Sequence, residues 1–380
     1  KVETYSVFRY PVLDKAINGG PVPSIKTDVV IIHKDDPSGL QVIEELMAEA
    51  PIDYEELFYQ LKYLKGNTSK LEKAYKNQTL ENWEILEANH MAITRLITLS
   101  LSGFDSPIYL NAIEDAIAVL LRLKEDLHLY KDYADSYDYS TIDQLIDEAF
   151  HDLESTHSFD SLHHYSLIKR VLVPLQREIK ELHIATSYEL YSEATGIPRS
   201  ISNGKTLFDE NYLDPYYSVR GNGFTFTKRQ EDLGRILFFD PILSSNNKRA
   251  CASCHQSNKA FTDGQKKSLA FDFEGEVDRN SPTIINSCYQ SNFFWDLRSH
   301  DLNDQILNVI VSEKEFNTTN DEIVAKLKRS KQYVKYFEEA FPDRAEPISI
   351  STIKGSLEVF VRSLRSFNSK FDQNIRGEEN

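Results

Sequence analysis

Cys251-Ala-Ser-Cys254-His255 is the one segment of this 380-residue chain whose residue types and spacing form a chemical device by themselves. Two thiols three residues apart can each form a thioether to a vinyl group of one haem, and the adjacent imidazole is then held against the iron as an axial ligand. Cys-x-x-Cys also occurs in zinc sites and redox motifs. Zinc needs a matching pair of Cys or His ligands, and of three cysteines only Cys288 is left as a further thiol. A redox motif needs a strand–loop–helix setting, and the flanking SSNNKRA reads as no strand. The spacing therefore points to one covalent c-type haem, attached through Cys251 and Cys254, with His255 as ligand to the haem iron.

An electron-carrying cytochrome c commonly offers methionine to the other face of the iron. The two methionines here, Met47 and Met91, both lie far upstream of the motif. His300 is the one further histidine near it, whereas His163 and His164 read as a solvated or hydrogen-bonded pair on a helix. An open or weakly occupied distal face suits a haem that does chemistry. Cys288, in the apolar context INSCYQ, reads as a small buried residue.

The elements that must position this motif read as helices. Leu40, Val42, Ile43 and Leu46, then Leu57, Leu61 and Leu64, recur at helical intervals. Longer helices are expected at about 80–102, 107–130, 141–155 and 159–185, with Asp105 or Ser106 capping and Pro107 at the first position of the second. Residues 1–38 read as an irregular lead-in in which DVVII is a candidate short strand, and 39–190 as a helical bundle. Residues 191–227, rich in Gly, Pro, Asn and Ser, read as a linker. Helical character returns at Lys228–Phe239 and stops at Asp240-Pro241, just before the cysteines. The expected fold is all-α: an N-terminal bundle, then a cytochrome c-like haem domain over 228–377.

A formal net charge of −16 excludes nucleic acid as a partner and permits a basic redox protein. No apolar run approaches the roughly 18 residues of a transmembrane segment. The opening KVETYSVFRYP has neither the apolar stretch nor the cleavage site of a signal peptide. Because c-type haem is attached outside the bacterial cytoplasm, the expected location is periplasmic or otherwise extracytoplasmic. The export signal or a membrane anchor is then expected to have been removed or to lie upstream of residue 1.

LGRILFFDPILSSNNKRACASCH at 233–255, FTDG at 261–264, RNSPTIIN at 279–286, FFWDLR at 293–298 and the stretch 305–316 together resemble the N-terminal haem domain of bacterial dihaem cytochrome c peroxidases. That family includes the enzyme that matures the tryptophan-derived cofactor of methylamine dehydrogenase. The likeness runs over about 233–377, while INGGPVPS, GLQVIEEL and GFDSP resemble the helical extension of Bacteroidetes-type members.

The resemblance implies that this haem is the peroxidatic one. Hydrogen peroxide would be reduced to water with electrons from a small redox protein, relayed through a second haem c. Glu315 falls at the distal acid–base glutamate, Gln305 at the distal-pocket glutamine, and Trp295 at the tryptophan between the two haems. Asn280 falls at an asparagine of a partial calcium site. Without the resemblance, Glu315 in SEKEF reads as an exposed helix-start carboxylate, Trp295 in FFWD as core, and Asn280 as a turn former.

Departures from the family pattern carry expectations of their own. At 271–278 (FDFEGEVD) there is no histidine where many members have a distal one, which implies an iron five-coordinate or water-bound. Leu297 replaces the glycine common in WDGR, and Val309 replaces a frequent proline. The end, SLRSFNSKFDQNIRGEEN, resembles the hinge before the second haem domain, so that domain is expected beyond residue 380. The alternatives are a same-family enzyme that oxidises a protein partner through high-valent haem iron, or a non-enzymatic haem relay or assembly subunit. The bundle is a candidate surface for a docking partner or a homodimer.

Overall fold

Helix is the rule in this chain, as the three- and four-residue spacing of its apolar side chains requires. The computed structural model describes residues 11–19, 24–27, 32–35, 37–76, 78–134, 137–156, 158–196, 201, 204–217, 226–290 and 292–378. Among them the one sheet is an antiparallel pair, β1 (Ser24–Thr27) on β2 (Ile32–Asp35), with Ser24 opposite Asp35. The strand expected at DVVII lies mostly outside the described residues, and its last residue, Ile32, opens β2. The chain divides into two compact units, Lys1–Ile197 with Asn203–Tyr212, and Pro198–Ser202 with Leu213–Asn380.

The first unit holds α1 (Pro11–Asn18), α2 (Leu40–Ala48), α3 (Tyr54–Lys76), α4 (Asn82–Arg95), α5 (Ala112–His128), α6 (Ser140–Glu154), α7 (His164–Leu167), α8 (Val173–Ala185) and α9 (Tyr191–Thr195). Leu86, Ile93, Leu120, Ile142, Leu175 and Ile179 are fully buried at its centre. Polar groups also cross this core. Lys180 on α8 meets Glu87 on α4 at 3.0 Å, and His183 Nδ1 lies 3.6 Å from the same carboxylate. His90 Nε2 bonds the Lys205 carbonyl at 2.8 Å, and the Gln176 carbonyl accepts from Leu207 N–H at 2.8 Å, so 204–212 is strapped onto these helices.

Two helix boundaries differ from the sequence expectation. Pro107 does not open a helix. Residues 101–111 are turns, Leu110 is left-handed (φ 53°), and α5 starts at Ala112. Glu44 on α2 caps those turns, accepting from Ser106 Oγ at 2.7 Å and from Tyr109 N–H at 2.8 Å, a long-range partner that local sequence does not show. Nor is 159–185 one helix. Pro174 has no N–H to donate, and the ladder ahead of it widens to a π turn at Ile168–Leu172, closed by Val173 N–H on Ile168 O.

The second unit holds α10 (Lys228–Phe239), α11 (Leu302–Val311), α12 (Asn320–Arg329), α13 (Lys331–Ala340), α14 (Ile350–Ser363) and α15 (Lys370–Arg376). Helix α10 has the expected bounds. Thr227 and Gln230 form a reciprocal cap, each backbone N–H donating to the other's side chain at 3.2 Å, and Asp240-Pro241 stops the helix. It crosses α14 so closely that a Cβ on Gly234 would stand 1.9 Å from the Ser356 carbonyl oxygen. Leu233, Leu237, Phe238, Phe337, Ile353 and Leu357 share the resulting core. Lys326 of α12 donates to the carbonyls of Ser244 and Ser245, pinning the loop that leads from α10 into the cysteine motif.

Candidate active site

The motif sits on a single tight turn, Cys251–Ser253, with His255 N–H returning to Cys251 O at 3.0 Å. Beyond it, two consecutive left-handed residues, Ala260 (φ 53°) and Phe261 (φ 56°), turn the chain back. Phe261 N–H then reaches Gln256 O at 2.9 Å, and the Phe261 carbonyl lies 2.9 Å from His255 Nδ1. A carbonyl only accepts, so Nδ1 carries the proton and the Nε2 lone pair is the one offered to a metal. Burial lowers the His255 pKa, opposed by the Phe261 carbonyl and Asp263, and this favours the neutral ligand form. Ser281 Oγ stands 3.1 Å from Nδ1 and 3.3 Å from Nε2.

Both motif thiols are free. Cys251 packs against the hydrophobic core, and burial pushes its thiol up to about 12; burial also raises Cys254. A reactive redox pair or a zinc site wants at least one thiolate. Among the described residues, no group of three or more His, Cys, Asp and Glu side chains could hold a metal ion. Two protonated thiols on an apolar wall and one neutral imidazole fit a covalently attached haem.

Glu315 lies in a turn after α11, not at an exposed helix start. Phe316 beside it is buried in the core, and its carbonyl accepts from Ser245 N–H at 3.0 Å, which fixes the turn to the loop before the motif. Burial raises the Glu315 carboxyl, while the Ser312 hydroxyl, Arg249 and Arg298 pull it down. Its charge in turn raises both Cys251 and Cys254, so the carboxylate and the cysteine pair share one neighbourhood.

The other residues singled out in the sequence are dispersed. Gln305 is half-buried on α11, the helix that runs into the Glu315 turn. Trp295 is not core: it is 69% exposed, with the Arg279 guanidinium 3.9 Å above its ring. Asn280 is exposed. His300 is exposed, with Nδ1 2.9 Å from Asn292 Oδ1. Met47 and Met91 belong to α2 and α4 in the first unit, where His163 is exposed and His164 stacks edge-on against Phe159.

The two departures have local consequences. Leu297 adopts φ 58°, a conformation that explains a glycine preference there. Val309 packs inside α11, where proline would break the helix. The sequence reading passed over Arg249, whose Nη2 donates to Cys254 Sγ at 3.0 Å, and Ser281 beside the His255 ring. Their one signal is position: Arg249 stands two residues before the first motif cysteine, and Ser281 lies inside RNSPT.

Comparison with known proteins agrees with the motif resemblance. A family model for di-haem cytochrome c peroxidase matches residues 228–380. The cytochrome c551 peroxidase of Pseudomonas aeruginosa is 30% identical over 157 residues, 41% of this chain and 45% of that protein. The methylamine utilization protein MauG of Methylorubrum extorquens is 32% identical over 153 residues, 40% of this chain and 43% of that protein. A solved MauG-like protein associated with microbial copper homeostasis is 33% identical, covers 41% of this chain and 46% of that one, and has a TM-score of 0.39. The chain spans less than half the length of these relatives.

Proposed function

We propose that the segment 228–380, which matches di-haem cytochrome c peroxidases, carries one haem c on Cys251 and Cys254 with His255 as its axial ligand. The protein would then act as an oxidoreductase that reduces hydrogen peroxide to water. The haem supplies the iron at which peroxide is reduced. The observation that carries this reading is Glu315, a carboxyl raised by burial in the same neighbourhood as the cysteine pair. Splitting peroxide requires a proton to leave one oxygen and arrive at the other. A partly buried carboxylate that both takes and returns a proton meets that requirement, and such help is typically worth about 10²–10⁴-fold.

The remaining residues take supporting roles in this proposal. Gln305 on α11 orients the peroxide, and Trp295, open on the surface, receives electrons from a second haem c in a further domain. A small redox protein is the electron donor, Asn280 supplies part of a calcium site, and the location is extracytoplasmic. Replacing Glu315 by Gln should preserve the haem spectrum and lower peroxide turnover by about 10²–10⁴-fold. Turnover equal to wild type would overturn the assignment.

A further inference from the structure

Helix α3 packs on its own unit through Gln60, Asn67 and Leu71, the residues it buries. On its opposite side Tyr54 is 73% exposed, Phe58 70% and Leu61 45%. Single exposed apolar side chains are ordinary. These three, however, follow one another at intervals of four and three residues, with exposed Lys65 four further on. That spacing sets them in one seam along about three turns, the pattern by which one helix packs on another.

Charge is divided along the same helix. Its start is acidic, with Asp53, Glu55 and Glu56, and exposed lysines follow at 62, 65, 70, 73 and 76. Some of these groups are already engaged: Glu56 accepts from Gln60 Nε2 at 2.8 Å, and Lys76 pairs with Glu72 at 3.0 Å. Among the described residues Glu55, Lys62 and Lys65 form no ion pair. An anionic lipid surface would be repelled by the acidic end, where the aromatic side chains lie, and a parallel copy of the helix would set like charge against like. An antiparallel copy satisfies both halves. If Phe58 faces Leu61 of the second copy, two-fold symmetry repeats that contact, and Tyr54 lies along the aliphatic stem of the opposing Lys65. Glu55 and Lys62 stand seven residues apart on one flank of the seam, so each comes opposite the other across the pair.

We propose that α3 is a self-association surface. Two copies of this chain pair antiparallel through Tyr54, Phe58 and Leu61, with Glu55 of each copy set against Lys62 of the other. The seam is short. A standard interface buries about 800 Å² per partner, and three turns of one helix offer less, so the association is weak, with a dissociation constant on the order of micromolar.

The test is sedimentation velocity of the full-length holoprotein over a concentration series through the micromolar range, at low salt so that the charge pairs are not screened. Wild type should pass from monomer to dimer as concentration rises. Phe58→Ser should raise the dissociation constant by about tenfold or more. Glu55→Lys and Lys62→Glu should each raise it by about fivefold, and the two together on one chain should return it to within about threefold of wild type, because every reversed charge again meets its opposite. Circular dichroism checks that each variant is folded, and if Phe58→Ser is not, the charge exchange decides. A wild type that stays monomeric throughout overturns the proposal, and so does a dimer indifferent to Phe58→Ser. Single reversals that weaken the dimer while the exchange fails to recover it overturn the antiparallel pairing, and the proposal with it.

Discussion

One buried cation from each unit is held in a different way. In the first, Lys180 and Glu87 lie 3.0 Å apart with side chains 2% and 1% exposed, so each charge meets its counter-charge directly. In the second, Arg362 and Glu358 pair in the same fashion at 2.6 Å, while Arg249, 2% exposed, donates to the carbonyls of Ala270 and Leu269 and to Cys254 Sγ. A paired arrangement serves the fold, because neither member needs to change state. A cation held by neutral groups next to the cysteine motif stays able to respond to a ligand, as sites built for chemistry do.

That contrast can be broken most directly in the first unit. Lys180→Met leaves Glu87 buried without its cation and should cost about 3–5 kcal/mol in denaturant unfolding, whereas Lys180→Met with Glu87→Leu should recover most of that loss. A double variant no better than the single one would show that the pair is not what holds α4 to α8. Next comes the pH dependence of the proposed peroxide reduction. In that reading Glu315 accepts a proton only when ionised, so turnover should fall about tenfold per pH unit below its midpoint. Burial raises that carboxyl, so the acid limb should lie at higher pH than an ordinary glutamate gives; a limb at the ordinary position would exclude Glu315 as the base.

Smaller effects sharpen the comparison. Arg249→Met removes a charge without orphaning a paired carboxylate, so its cost should be about 1–2 kcal/mol, clearly below that of Lys180→Met under the same unfolding protocol. A larger cost would show that its bonds to Leu269, Ala270 and Cys254 hold the motif loop in place. Leu297→Gly should raise stability by about 0.5 kcal/mol, because glycine adopts φ 58° without the strain a side chain brings. A lowered thermal midpoint would mean that the leucine side chain contributes packing that outweighs the strain.

Local chemistry was readable in the sequence, and long-range burial was not. The Cys251–His255 motif and the bounds of α10 follow from residues within a few positions of each other: paired thiols, the Thr227 and Gln230 cap, the Asp240-Pro241 stop. The all-α class followed from periodicity. By contrast, Pro107 was misleading because Glu44, more than sixty residues away, caps the turn that displaces the helix start. Glu315 sits among charged neighbours in SEKEF, and only the turn fixed by Phe316 buries it. Three aromatics in FFWD look alike in sequence, yet Phe293 is 8% exposed and Trp295 is 69%. The left-handed backbone at Phe294, between them, turns the two apart, and the residue type does not announce it.

The uncovered indole of Trp295 has a practical consequence. The chain holds two tryptophans, and the other, Trp83, packs edge-on against Tyr191 in the first unit. A haem-free Trp83→Phe protein, in which no porphyrin quenches the indole, therefore has Trp295 as its one tryptophan emitter, exposed to water and close beneath a guanidinium. Its fluorescence should lie toward the red, and it should shift blue or dim when another surface covers it. In its haem-free form the molecule thus carries its own optical gauge of docking.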